Sequence, residues 1–301
     1  MRKLGILLAV LVIAAPISSY AKQASYPASQ EALENEFENL PWEAEPNSYQ
    51  LSKSNSSLQL PDGLALIRGD GAERYMYLSQ GVEYPGVEAA IVNVEELTQV
   101  IFSFFDSGYV SIDDWKDLDS EELLKEIKRN TELANEERGK HNLPELHVKS
   151  WLVKPVLDKE NDAAYWAISL REGDQNMVNA ITLKLGRNGF EKVIWVGNQD
   201  QYSNSDGLLE TMLEAHRFNQ GFRYADYSIG DKVAAFGIAS LVAVSAGGKS
   251  KAGKTTLSAI GIAILVFMKK FIIVPIMLVF GGLWALIKKP FSRKAQDDKS
   301  T

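Results

Sequence analysis

Short apolar runs separated by turn residues dominate the middle of the chain. From Pro61 onward, LALIR and ERYMYL flank Gly69-Asp70-Gly71 and predict two strands joined by a hairpin. VEAAIVNV and QVIFSFFDSGYV predict two further strands, rich in β-branched and aromatic residues. After Pro144 the pattern resumes with HVKSWLVKPVLD, AAYWAISL, MVNAITLKLG and FEKVIWVGN. Gly186-Arg187-Asn188-Gly189 breaks the last two runs as a hairpin turn, because Asn-Gly tolerates a positive φ.

Three stretches carry helical spacing instead. Ser29 caps a short helix with Leu33, Phe37 and Leu40 on one face. Asp119-Ser120 opens a long helix that buries Leu123, Ile127 and Ala134, with Gly139 as its stop. Asp206 opens a third through Phe218, placing Leu209, Met212, Leu213 and His216 near one face. Residues 43–60, rich in Glu, Ser, Asn and Gln, predict a linker. Strands joined by short turns with inserted helices make residues 61–230 an α+β domain, with a mainly antiparallel sheet and residues 22–60 as a helix and linker before it.

The two ends differ from this pattern. Arg2 and Lys3, the apolar run Leu4–Ile17 and the small residues Ser19 and Ala21 have the layout of a secretory signal peptide, residues 1–21. Residues 231–290 hold three apolar segments, 233–246, 257–268 and 271–287, followed by a basic tail at 291–301. The last segment is 17 residues without charge, with Trp284 near its end and Lys288-Lys289 after it, and predicts a transmembrane helix. The first two are short for spans, so length favours one span and the positive-inside rule favours three. Ala235, Ala239 and Ala243 repeat at every fourth residue, a spacing that lets helices pack closely in lipid or meet another membrane protein. The preferred reading is a helical hairpin followed by the last span; the alternative is that 233–246 lies in the membrane interface or packs on the soluble domain.

Charge follows the same division. Residues 22–230 hold 19 basic against 36 acidic residues, a net −17, whereas residues 231–301 carry +8. An acidic front and a basic, apolar back suit a domain tied to the cytoplasmic membrane and facing the periplasm. The overall charge of −7 speaks against nucleic acid as a partner. The absence of Cys removes disulfides, thiolate metal sites and Cys nucleophiles.

Candidate chemistry is sparse. Gly248 to Thr255 matches GxxxxGK[ST], the phosphate-cradling loop, but the 46 residues after it are mostly membrane-grade apolar sequence and leave no room for the rest of a nucleotide fold. His141, His147 and His216 show no ligand spacing, so neither a metal site nor a cofactor is expected. Asp113, Asp114, Asp117, Asp119, Glu121 and Glu122 form an acidic run without the pattern of a calcium loop, because Trp115 interrupts it; a solvated helix cap accounts for it. Trp151, Trp166 and Trp195 fall in strand patterns and are expected in the core.

Several strings, in order, resemble one family of bacterial predicted membrane-anchored proteins carrying a domain of unknown function. They are Gly108-Tyr109-Val110 with Asp113-Asp114, Leu123-Leu124, Asn135-Glu136-Glu137-Arg138, Trp151 with Pro155 and Asp158, and Tyr165-Trp166-Ala167. Leu185-Gly186-Arg187 with Gly189, Phe218 with Gly221, Arg223-Tyr224-Ala225-Asp226-Tyr227 and Gly230-Asp231-Lys232 follow. The resemblance covers about residues 95–290. It departs from the family pattern at Ser111, Ile112 and Trp115, and at Asn179–Thr182. It implies an envelope protein with a signal peptide and C-terminal membrane segments, and brings no known activity. Two functions follow as expectations. One is a non-enzymatic scaffold, sensor or accessory of other envelope proteins at the bacterial inner membrane. The other is a membrane-anchored enzyme using carboxylates, with Gly108–Asp119 and Asn135–Arg138, and in particular Asp113, Asp114 and Arg138, as its first candidates.

Overall fold

Near-continuous apolar runs, buried on both faces over Val87–Asn93, Thr98–Phe105 and Phe190–Asn198, build a seven-stranded antiparallel sheet that organises the domain. The computed structural model describes residues 27–248, except 81–82, 85, 94, 97, 141–143 and 205–212. The sheet comprises β3 (Ala65–Arg68), β4 (Val87–Asn93), β5 (Thr98–Phe105), β6 (Leu146–Asp158), β7 (Ala163–Glu172), β8 (Gln175–Leu185) and β9 (Phe190–Asn198), in the order β3-β4-β5-β9-β8-β7-β6. A smaller sheet sets β1 (Ser48–Leu51), β2 (Ser56–Gln59) and β10 (His216–Phe218) side by side, with β2 in the centre. The α+β class and the antiparallel sheet agree with the strand and helix pattern of the sequence.

Period-two alternation divides the side chains between two layers. On one face Phe190, Ile194, Trp166 and Ile181 meet α1 (Gln30–Glu38), α2 (Asp70–Gln80), α3 (Ser120–Lys140) and α5 (Ile238–Ser245). On the other, Phe102, Val178, Val193 and Trp195 pack with Leu51 and Leu58 of the small sheet. A short helix α4 (Gln199–Asn204) follows β9. Helix α3 begins as expected: the Asp119 carboxylate accepts from the backbone of Glu121 and Glu122, both at 3.0 Å, and Leu123 and Ile127 are buried.

Four segments differ from expectation. ERYMYL is not a strand; it lies in α2, where Tyr75, Met76 and Leu78 turn into the core. Gly69, at φ +59°, makes the turn, and Gly71 begins the helix where a Cβ would meet Pro41 at 2.8 Å. Residues 43–60 are not a linker, since they supply the β1–β2 hairpin. The helix expected over Asp206–Phe218 includes Leu213–Ala215, but His216–Phe218 is strand β10; Leu209 and Met212 lie outside the described residues.

The fourth is the apolar segment 233–246. Instead of forming a membrane segment, it runs beside Tyr109 and then forms the eight-residue α5, whose Ile238, Leu241, Val242 and Val244 are buried with the sheet. Ala239 is buried and Ala235 precedes the helix, so the three spaced alanines do not form one helix face. A helix apolar on all sides suits a protein interior as well as a bilayer, which is why the pattern misleads. No helix among the described residues is long and apolar enough to cross a membrane. The signal-peptide segment 1–21, the segments 257–268 and 271–287 and the tail lie outside the described residues.

Asp114 explains part of this docking. Its Oδ1 accepts from the Ala239 backbone N–H at 3.1 Å and so satisfies a donor in the first turn of α5. Asp114→Ala should cost about 1 kcal/mol, the usual value of a lost N-terminal cap, read as a lower urea midpoint with an unchanged slope.

Candidate functional site

The residues singled out for chemistry along Gly108–Asp119 and Asn135–Arg138 are held in structural bonds. Asp113 accepts from Ser111 Oγ at 2.8 Å, Asp114 caps α5 and Asp119 caps α3. Glu121 pairs with Lys154 at 2.7 Å on the surface, and Glu122 is exposed. Asn135 both donates to and accepts from the Leu146 backbone, and buried Arg138 donates to Pro144 O and to Glu172 Oε1, each at 2.6 Å. These bonds tie α3 to β6 and β7. They do not bring Asp113, Asp114 and Arg138 together around a reacting centre.

The histidines separate in the same way. His147 lies at the surface between Glu132 and Glu145, at 3.0 and 3.3 Å. His141 is outside the described residues. Of the phosphate-loop match only Gly248 is described, buried against Leu123 and Glu126 of α3. Trp166 and Trp195 are core residues, and Trp151 donates to Ser120 O at the start of α3.

A different constellation lies between the two sheets. Glu88, Glu191 and His216 bring their ligating atoms within 4.8 Å of one another. Each comes from a different strand. A bulge between Val87 and Ala89 in β4 turns Glu88 toward the β1–β2 turn, where its Oε2 accepts from the backbone N–H of Lys53 and Ser54 at 3.0 and 3.1 Å. Glu191 stands in β9, in register with Phe104 of β5 and Lys184 of β8, on the face that also carries Val193 and Trp195. His216 pairs with Leu58 in the small sheet, stacks on Phe102 at 5.9 Å and meets the edge of Phe218 at 5.2 Å.

All three side chains are nearly or fully inaccessible: Glu88 is 2% exposed, and Glu191 and His216 are 0% exposed. Five of their polar atoms have no hydrogen-bond partner: Glu88 Oε1, both oxygens of Glu191 and both ring nitrogens of His216. Burial, reinforced by the neighbouring Glu88, pushes the Glu191 carboxyl well above its usual range. Burial, reinforced by Lys184, brings His216 down to about 3. Two cations stand nearby, neither bonding a side chain of the trio. Lys184 donates to the carbonyls of Leu213 and His216, and burial lowers it to about 8. Lys53 Nζ donates to Glu73 and to Val87 O.

A cleft of about 560 Å3 adjoins this cluster. It shares Lys53 and Ser54, whose backbone holds Glu88, and Phe218, which packs on His216. Asp106 and Lys232, paired at 3.2 Å, stand at its polar side. The arrangement offers two carboxylates and one imidazole in a buried site: a ligand set for a divalent ion, or a carboxyl pair that shares a proton.

Sequence reasoning missed this trio. Its signal was present, since Glu88 and Glu191 are acids inside the most apolar strands, VEAAIVNV and FEKVIWVGN. A charge at a position that the period assigns to the core marks either an error of register or a site.

Comparisons with known proteins place the chain as follows. A family model described as Protein of unknown function (DUF2167) matches residues 43–280. A search of curated proteins finds no match. Among solved structures, the solution structure of cyanobacterial PsbP (CyanoP) from Synechocystis sp. PCC 6803 is similar over 58% of this chain and 93% of that chain, at 12% identity and a TM-score of 0.37. A likeness that distant bears on neither activity nor partners.

Proposed function

The chain belongs to the DUF2167 family of proteins of unknown function, and we propose that it serves the bacterial envelope as a membrane-tethered binding domain, a scaffold, sensor or accessory of other envelope proteins. The observation that carries this reading is the order of its parts. A leader-like segment at 1–21 precedes an acidic folded domain, and the uncharged segments 257–268 and 271–287 and a basic tail follow it. With 233–246 folded into the domain, the three-span reading loses its first segment, and we take the single-span reading through 271–287. That arrangement puts the domain in the periplasm and Lys288, Lys289, Arg293, Lys294 and Lys299 in the cytoplasm beside anionic lipid. The structural bonds of Asp113, Asp114 and Arg138 favour binding over carboxylate catalysis at those positions.

The Cys-free chain makes the test clean. Ser205→Cys should react with a membrane-impermeant maleimide in intact spheroplasts, and Ser300→Cys should react only after lysis. Labelling of Ser205→Cys only after lysis would overturn the orientation. Labelling of both without lysis would overturn the single span.

A further inference from the structure

We propose that Glu88, Glu191 and His216 form a binding site for one divalent first-row transition-metal ion, which clasps the small sheet onto the large one. Three independent features lead there. First, the donors converge from three strands and two sheets: Glu88 on β4 and Glu191 on β9 of the large sheet, His216 on β10 of the small one. An ion held by all three adds a further link to the stacking of Phe102 on His216, the Glu88 bonds to the Lys53 and Ser54 backbone and the Lys184 bond to His216 O that already join the layers.

Second, the site is buried, and among the described residues its only close side-chain contact between ionisable groups is that of Glu191 with Glu88. Five unpartnered atoms on three side chains, each at least 98% buried, are far more than a settled core carries, where buried polar groups are nearly always bonded. Neither neighbouring cation fills the need. Lys184 donates to two backbone carbonyls, and Lys53 is held by Glu73 and Val87 O. A divalent ion would cancel both carboxylate charges and occupy the imidazole lone pair, leaving the buried site neutral.

Third, the donor set selects the class of ion. Two carboxylate oxygens and one imidazole nitrogen suit Zn2+, Mn2+, Fe2+ or Co2+; Ca2+ and Mg2+ prefer sites made of oxygen alone. Donors about 2.0–2.2 Å from such an ion stand roughly 3.4 Å apart in a tetrahedron. The observed spread within 4.8 Å therefore closes by side-chain rotation without moving a strand.

The test uses the full chain in mild detergent, stripped with chelator, with Co2+ alone as the probe. The folded wild type should take up one Co2+ per chain and gain visible d–d absorption, which stoichiometric Zn2+ removes. Zn2+ at 100 times its Kd should shift the unfolding equilibrium about 100-fold toward the native state, and chelator should reverse the shift. Glu88→Gln and Glu191→Gln should each weaken Co2+ binding at least 10-fold. His147→Ala, at the surface, should leave it unchanged. A folded wild type that takes up no Co2+ at millimolar concentration overturns the site by itself, whatever the variants do. So does binding that survives both Gln variants or disappears with His147→Ala. In the first of these cases the cluster is a proton-sharing carboxyl pair.

Discussion

Gly108→Ala should destabilise the domain by about 3 kcal/mol, a large share of the stability of an ordinary domain. Gly108 has φ +87°, where an L side chain costs about 1–2 kcal/mol. An added Cβ would also stand 2.6 Å from Lys232 O and 2.8 Å from Lys232 C, a collision with backbone that a rotamer change cannot relieve. Overpacking of that kind adds about 1–3 kcal/mol. The strand of contacts it would push apart is the one that delivers the C-terminal segment to the core. Tyr109 N–H donates to Lys232 O, Ala234 N–H to Tyr109 O and Ile238 N–H to Ser111 O, at 2.8, 2.8 and 2.9 Å. Beyond them α5 buries Ile238, Leu241, Val242 and Val244. Gly221→Ala supplies the control: its φ is +89° but nothing lies within 4 Å of the added Cβ, so it carries the backbone cost alone. Urea unfolding should place Gly108→Ala below Gly221→Ala by about 1–3 kcal/mol. Equal losses would show that Lys232 yields without cost and that the segment is loosely held.

The legibility of the fold varied with the kind of signal. Strands β7 to β9 are plain because apolar runs rich in β-branched and aromatic residues and the Gly186–Gly189 turn agree locally. Helix α3 was plain because Asp119 and two acids mark its start. Helix α2 was hidden, since Tyr75, Met76 and Leu78 give as good a strand run as a helix face over so few residues. The small sheet was hidden for another reason: β2 is Ser-Ser-Leu-Gln, and its partner β10 lies about 160 residues away in the chain, so no local pattern announces the pairing. Segment 233–246 had a clear apolar signal whose solvent, lipid or protein, composition alone does not choose. The site was illegible as a site because its residues are far apart in sequence. Glu88 and Glu191 were nonetheless visible as misfits in apolar strands, whereas His216 was assigned to a helix face that the structure replaces with β10.

In chelator, the metal-free protein should show opposed stability limbs in pH. His216 is buried neutral: its folded pKa is about 3 against 6.5 in the unfolded chain. Below pH 6.5 the unfolded state takes a proton that the native state refuses, so stability falls as pH drops toward 3, by about 1.4 kcal/mol per unit. Glu191 acts oppositely. Its folded pKa lies well above 4.5, so the unfolded state ionises first and stability falls as pH rises above 4.5. Above pH 4.5 the two limbs oppose each other in the wild type. The groups facing the ring are Glu88 on β4, Glu191 on β9 and Lys184 on β8, so the comparison must hold them fixed. Glu191→Gln removes one limb and exposes the other, and adding His216→Phe, an apolar ring that still stacks on Phe102, removes the second. The stability difference between the single and the double variant should therefore change by about 2 kcal/mol between pH 6.5 and 4.5. A difference that stays constant over that interval would mean that His216 titrates alike in both states and is not buried as the structure places it. Zn2+ added to the wild type demands an ionised carboxylate and a neutral imidazole, so its stabilisation should grow as pH rises and Glu191 gives up its proton.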